Sequence, residues 1–440
     1  MPPFGRLRKC NLRVSVLLVS QRHDTDLRSQ EFQPEFMEAY MPDQSYQWRV
    51  FVMVVMVLGF SAPLSAATFK DVLEHAWSNQ AQTARSEQYD AQLSASQAWV
   101  PEPPTLTISY RGDQIDTNNG LREWEAEISQ PIWLWGQRDR AQSVARSERE
   151  ASTQRFSYAR WQLAGELREA WWEARLAEIE QNAAERKLKE DSQLEADVLR
   201  RLKAGVLTPL DLNQVRSSVA IAKADVVRAQ TAVARTLAQF RALSKGAPLP
   251  DLPETLVSRE IDIESRHPAI ASHAATATAA QDKLRQVSGD TRNTPEIGLT
   301  LTRERANFNE PYQNLAKVAL KIPFGSESRN QPRITAANAD LIEAQLLTEQ
   351  TRRKLDATIT SSQLELEQSQ GSILIFEERL QLVEQSFAWV DKAFRAGQFD
   401  LPARLKAEAD LTGARLAFAR AKLEAARAIS RYNQAVGVLP

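Results

Sequence analysis

Few residues of this chain are arranged for chemistry. Past residue 67 the histidines are His75, His267 and His273, and the closest two stand six positions apart, which turns them to different sides of a helix. No cluster of Asp or Glu completes a metal site around them, so a capping or solvated role is expected. The paired carboxylates Glu365 and Glu367 read as solvated helix faces. A glycine-rich phosphate loop, an HExxH sequence and a Ser or Cys nucleophile in a recognisable setting are all missing from the sequence. No enzyme activity, cofactor or resident metal is therefore expected.

Two short turns are more distinctive: Gly205-Val206-Leu207-Thr208 and Gly397-Gln398-Phe399-Asp400. Glycine adopts the left-handed conformation that ends a helix, and Thr208 or Asp400 can cap the next one by accepting from its first free N–H groups. A simple turn explains the glycine and the cap, but not three apolar residues, Val206, Leu207 and Phe399, at what reads as the far end of a long rod.

The rod follows from the sequence around these turns. Length alone suggests about three domains, but 15 glycines and 20 prolines in 440 residues are few, so few and long elements are expected. A formal charge of -1 gives no electrostatic footprint for nucleic acid. The strongest apolar run, Val50 to Phe60, follows Arg49 and precedes small residues up to Ala67, which is the order of a secretory signal. Residues 41–67 are read as that signal and 1–40 as an upstream extension of the reading frame. Cys10 and all five Met precede the expected cleavage, leaving an exported chain without sulfur.

That exported chain reads twice. Pro104 recurs at Pro295, Pro131 at Pro323, Gly205 at Gly397 and Gly246 at Gly437, each 191 or 192 residues on. The first repeat, 68–246, is expected to hold a helix over Phe69–Trp99, strands at 104–111 and 122–132, a long helix at 137–203 and a return helix at 210–243. The second, 247–440, repeats the order with a helix at 261–287, strands at 295–303 and 314–324, a long helix at 333–396 and a return helix at 402–435. At 1.5 Å per residue the long helices reach roughly 100 Å, which requires a coiled-coil or tube arrangement. The shorter helices, stacked end to end, nearly match each long one. On the helices alone a soluble coiled-coil scaffold fits equally.

The strands point further. Leu106, Ile108 and Tyr110 alternate with Thr105, Thr107 and Ser109, and Trp124, Ala126 and Ile128 with Glu125, Glu127 and Ser129. Val318, Leu320 and Ile322 alternate with Lys317, Ala319 and Lys321. Such segments suit an outer-membrane barrel, whose strands face lipid on one side and a polar lumen on the other. Aromatics gather at the strand ends, Tyr110 and Trp124 at one and Trp133, Trp135 and Phe324 at the other, as in interfacial girdles. The loops at 112–121 and 303–312 would face outside the cell. Four strands cannot close a barrel, so several copies would be needed.

In its ordered helices, strands, Pro101-Glu-Pro-Pro104, Ser129-Gln-Pro-Ile132, Arg201-Leu-Lys-Ala-Gly205 and Phe394-Arg-Ala-Gly397, the chain resembles the TolC-type outer membrane efflux family. The resemblance implies a mainly α fold: a coiled-coil tunnel through the periplasm, and four strands per copy contributing to the 12-stranded outer-membrane barrel of a homotrimer. It implies as partners outer-membrane lipid, a periplasmic adaptor (membrane fusion) protein at the two tips, and an inner-membrane transporter of the proton-driven resistance-nodulation-division type. The function implied is passive exit from a tripartite pump; type I protein secretion is the alternative on the same fold. Ile322-Pro-Phe324, Ser328-Arg-Asn-Gln331 and His267-Pro-Ala-Ile270 are similar to the heavy-metal (cobalt, zinc, cadmium) branch, although Pro332 stands where that branch has glycine. Asp400, Arg404 and Glu408, at i, i+4 spacing, are candidates for the constricted periplasmic end.

Overall fold

A computed structural model describes residues 68–257, 266–324 and 327–440. The export signal, the upstream segment and the start of the helix expected at 261–287 lie outside the described residues. The elements are α1 (Phe69–Ala76), α2 (Gln80–Gln97), β1 (Thr105–Gly112), β2 (Arg122–Pro131), α3 (Gln137–Lys203) and α4 (Pro209–Leu243). After them come α5 (Pro268–Gly289), β3 (Glu296–Arg305), β4 (Gln313–Lys321), α6 (Glu327–Arg395) and α7 (Leu401–Ala435). The two repeats thus share one element order, except that the first opens with two helices.

The helix expected over Phe69–Trp99 is broken at Trp77, whose backbone is extended. The break follows burial. The short α1 sinks Phe69, Val72, Leu73 and Ala76 into a core with Leu167, Trp171, Trp172 and Phe240, whereas α2, rich in Gln and Ser, buries only Ser96. A straight helix could not serve both surroundings. A second difference lies at α6, which starts before Pro332 rather than after it. Proline near a helix start removes one backbone donor, a modest loss against some seventeen turns that remain.

At 67 and 69 residues, α3 and α6 are each roughly 100 Å long. Each carries its return helix along one part and a shorter helix along another: α3 packs on α4 and α2, and α6 on α7 and α5. The end-to-end stacking expected from length is present. The repeats are joined by α5, which also packs on α3, and by contacts of α3 with α7. An ion-pair ladder supports the last contact, with Arg415, Arg420, Arg427 and Arg431 of α7 meeting Glu190, Glu180 and Glu169 of α3. Hydrogen bonds from Arg431 and Arg427 hold the Glu169 carboxyl below the usual range although burial opposes them. Glu365, read as a solvated carboxylate, accepts from Arg431 at 2.6 Å.

The four strands form one antiparallel sheet in the order β1, β2, β3, β4. Among the described residues, both β1 and β4 leave an outer edge unpaired. On α6, Ile375, Leu382 and Trp389 recur every seven residues and are exposed, a coiled-coil seam without a partner among the described residues.

Candidate functional site

The sheet register sorts residues into two faces. Leu106 pairs with Ile128, Ile128 with Leu299 and Leu299 with Val318; one step along, Ile108, Ala126, Leu301 and Ala316 form a row. All of these share a face. The opposite face carries Thr107, Glu127, Thr300 and Lys317 in one row and Ser109, Glu125, Thr302 and Leu315 in another.

On the two inner strands burial is inverted relative to a sheet in water, whereas both faces of β1 and β4 are exposed. Leu106, Ile108, Leu299, Leu301 and Val318 are 61%, 67%, 47%, 56% and 76% exposed, while Thr300 on the polar face is 2% exposed. A contiguous apolar face of this kind needs lipid or protein against it. Among the described residues no helix is long and apolar enough to cross a membrane.

The expected aromatics lie at both ends of this face. Tyr110 pairs with Trp124, ring centroids 4.6 Å apart. At the helix end Trp135 and Phe324 are fully exposed or nearly so, and Trp133 donates its indole N–H to the Ala98 carbonyl at 3.1 Å. Trp99 joins them, 93% exposed, and was missed because it stands in helix-forming sequence. At the loop end the sequence reading also missed Phe308 and Tyr312. It placed Arg303 to Tyr312 in a loop, whereas β3 continues to Arg305 and carries Arg303 and Arg305 along the strand.

Both tips end in the same hydrogen-bond pattern. Gly205 (φ 77°) donates to Leu202 O and Val206 N–H to Arg201 O, both at 2.9 Å. Gly397 (φ 75°) donates to Phe394 O and Gln398 N–H to Ala393 O, at 3.1 and 2.9 Å. These are paired closures by a left-handed residue, the reason glycine stands there. Thr208 and Asp211 then cap α4 reciprocally, with Pro209 in its first turn, and Asp400 caps α7 by accepting from Ala403 N–H at 3.0 Å.

The two tips share one core. Leu194, Val198, Leu212, Val215, Phe394 and Leu401 are buried together from all four helices. Leu207, expected to be exposed, packs partly buried against this cluster; Val206 and Phe399 remain 67% and 51% exposed, with Leu210 at 66% beside them. Gln398 and Asp400 are exposed as well.

Arg404 and Glu408 point into the protomer's own helix packing. Arg404 is held by Asp391 at 2.8 Å and Glu408 at 2.9 Å and lies over the Phe387 and Phe394 rings. Glu408 is 5% exposed, and burial pushes its carboxyl up despite Arg404. Of the three candidates for the constriction, only Asp400 is exposed. His267 caps α5 through Nδ1, accepting from Ala269 N–H at 3.1 Å, and burial pushes its pKa down to about 4. Among the described residues no group of three or more His, Cys, Asp or Glu is placed to hold a metal ion.

Residues 262–438 match the family model described as outer membrane efflux protein. The second repeat is thus similar to that family. Among curated proteins no sequence matches. The fold is that of solved membrane proteins: one from Pseudomonas aeruginosa is 15% identical with a TM-score of 0.69, covering 84% of this chain and 90% of its own. CusC is 16% identical with a TM-score of 0.70, covering 84% and 92%. VceC from Vibrio cholerae is 16% identical with a TM-score of 0.69, covering 84% and 96%. The resemblance to TolC-type chains and the mainly α fold with a small sheet are borne out.

Proposed function

We propose that the chain is the exit duct of a tripartite efflux pump, acting as a homotrimer whose twelve strands close one outer-membrane barrel. The observation that carries this reading is the inverted sheet, apolar outside and polar within, with open edges at β1 and β4. Three copies joined edge to edge leave no strand unpaired and place Glu125, Glu127 and Lys317 toward a polar lumen. The exposed seam Ile375, Leu382 and Trp389 supplies a second contact between copies. The tips, with Val206, Leu210 and Phe399 exposed, meet the periplasmic adaptor, which links the duct to a proton-driven inner-membrane transporter.

Heavy-metal cations are the cargo we favour, with other toxic small molecules next, on the strength of Ile322-Pro-Phe324, Ser328-Arg-Asn-Gln331 and His267-Pro-Ala-Ile270. A duct passes cargo by shape and charge without holding it, so this reading needs no metal ligands in the wall. The deciding experiment deletes the chain and measures sensitivity to cobalt, zinc, cadmium and a panel of organic toxicants. Sensitisation to metals supports the reading. Unchanged sensitivity with loss of a secreted protein moves the duct to type I secretion, and release of the protein without detergent as a monomer would sink both.

A further inference from the structure

Two arginines at the outer rim of the sheet carry no counter-charge. Arg303 and Arg305 lie on the apolar face, since Arg303 is in register with Trp124 and Arg305 with Arg122. Their guanidiniums sit 4.9 and 4.8 Å from the centre of one ring, Tyr312, and Arg305 also lies over Phe308 at 5.1 Å. A single aromatic ring thus holds two positive charges close together. Among the described residues neither makes a salt bridge. Arg305 donates to the Gly120 carbonyl at 3.2 Å, and the neighbouring Arg122 is already neutralised by Asp113 at 2.7 Å.

Next to Arg303 along the sheet is a hollow of about 450 Å³, whose lining includes Ile108, Trp124, Ala126, Leu301 and Ala316, with Asn314, Thr302 and Glu125 also at its wall. It exists because alanines flank Leu301 in the row Ile108, Ala126, Leu301, Ala316. An apolar hollow that reaches Arg303, with Arg305 held beside it on the same Tyr312 ring, matches one kind of molecule, an acyl chain ending in an anionic headgroup. Guanidinium recognises phosphate by paired hydrogen bonds, and basic residues at a membrane surface attract anionic lipid.

We propose that Arg303 and Arg305, with the groove below them, bind an outer-leaflet lipid with a phosphate headgroup, its acyl chain lying over Ala126 and Ala316. The site rests on the outer-membrane reading, because only there does this rim face a lipid leaflet. Tyr312 and Phe308 are positioning residues that keep the two cations together.

The test titrates the detergent-extracted full-length oligomer with a bisphosphorylated diglucosamine glycolipid, its dephosphorylated form, and inorganic phosphate alone, reading bound copies by native mass spectrometry. The phosphorylated lipid should bind at least ten-fold more tightly than the dephosphorylated one. Arg303→Gln with Arg305→Gln should remove that preference, while Arg303→Lys with Arg305→Lys should keep most of it. Equal binding of the two lipids, or inorganic phosphate binding as tightly as the lipid, would overturn the proposal. Insertion into zwitterionic vesicles is measured alongside: if wild type inserts but shows no preference, only the lipid site fails, whereas failure to insert at all overturns the membrane reading as well.

Discussion

Arg168 meets Glu254 through two parallel hydrogen bonds, Nε to Oε2 at 2.8 Å and one terminal nitrogen to Oε1 at 2.9 Å, where the side chains are 3% and 11% exposed. The pair clamps the segment between the repeats onto α3. Ser430 of α7 donates to the same carboxylate at 2.9 Å, and Arg168 also donates to the Val438 carbonyl at 3.1 Å. A buried pair costs desolvation, but removing one partner strands the other. Arg168→Met should therefore lower stability by about 3–5 kcal/mol, and adding Glu254→Leu should restore most of it. Thermal unfolding of the two variants in detergent would check this; additive losses would show that the ion pair is not the clamp.

The cap ending α4 and its repeat counterpart ending α7 should respond in opposite ways. Lys245 (φ 53°) and Gly246 (φ 87°) are both left-handed in the first repeat and Gly437 (φ 83°) in the second; the closing bonds, Gly246 N–H to Arg241 O and Val438 N–H to Asn433 O, align Lys245 with Gly437. Lys245→Gly should stabilise by up to about 1 kcal/mol by removing a strained Cβ. Gly437→Ala should destabilise by about 2 kcal/mol, since its Cβ would add strain and also stand 2.7 Å from His267 Cδ2. Equal effects on unfolding midpoints would contradict the asymmetry.

Acidification should act through His267. Its folded pKa of about 4 lies below the unfolded value near 6.5, so the unfolded chain binds the proton first as pH falls. The stability it contributes is complete above pH 6.5 and declines toward pH 4, by about 3 kcal/mol in all. His267→Asn keeps a capping side chain without the titration. Its stability should fall less steeply than wild type across this window, and parallel profiles would remove His267 as the cause.

The two sheet faces should tolerate charge differently. Leu299→Arg puts a cation in the middle of the apolar face and should cost about 2–4 kcal/mol of membrane stability. Glu127→Gln, next to it in the sheet but on the polar face, should leave insertion unchanged. Refolding into vesicles measures both, and equal loss would reverse the assignment of faces.

Phe399→Asp should abolish export and leave the protein in the outer membrane at normal abundance, because the side chain is 51% exposed and carries no part of the core. Leu207→Asp should instead lower abundance, since Leu207 packs partly buried against the core that the two tips share. Crosslinking to the adaptor, read beside efflux, separates a lost contact from a lost fold.

Much of the fold was legible because it is periodic. The limits of α3 at Gln137 and Lys203 coincide with expectation, set by Gly136 and by the Gly205 closure that any helix of this kind needs. Strand faces were legible for the same reason, since alternation at Leu106, Ile108 and Tyr110 fixes orientation before any partner is known. What could not be read depends on neighbours far along the chain. Leu207 is covered by a core drawn from all four tip helices, and Arg404 turns inward because Asp391 and two phenylalanines receive it. Helical spacing puts Arg404 and Glu408 on one face but does not say which face is inside. Likewise Arg303 and Arg305 looked like loop residues until Tyr312 was seen between them.

The order β1, β2, β3, β4 gives each copy two different free edges, one from each repeat. In a closed ring every copy is at once donor and acceptor, so no copy is redundant and none can be bypassed. A chain with a proline introduced into the β1 edge, such as Ile108→Pro, would still offer β4 to a normal neighbour and leave that ring open. Genetically, such an allele behaves as a poison: co-expressed with wild type it is dominant, and its effect grows faster than its share of the pool.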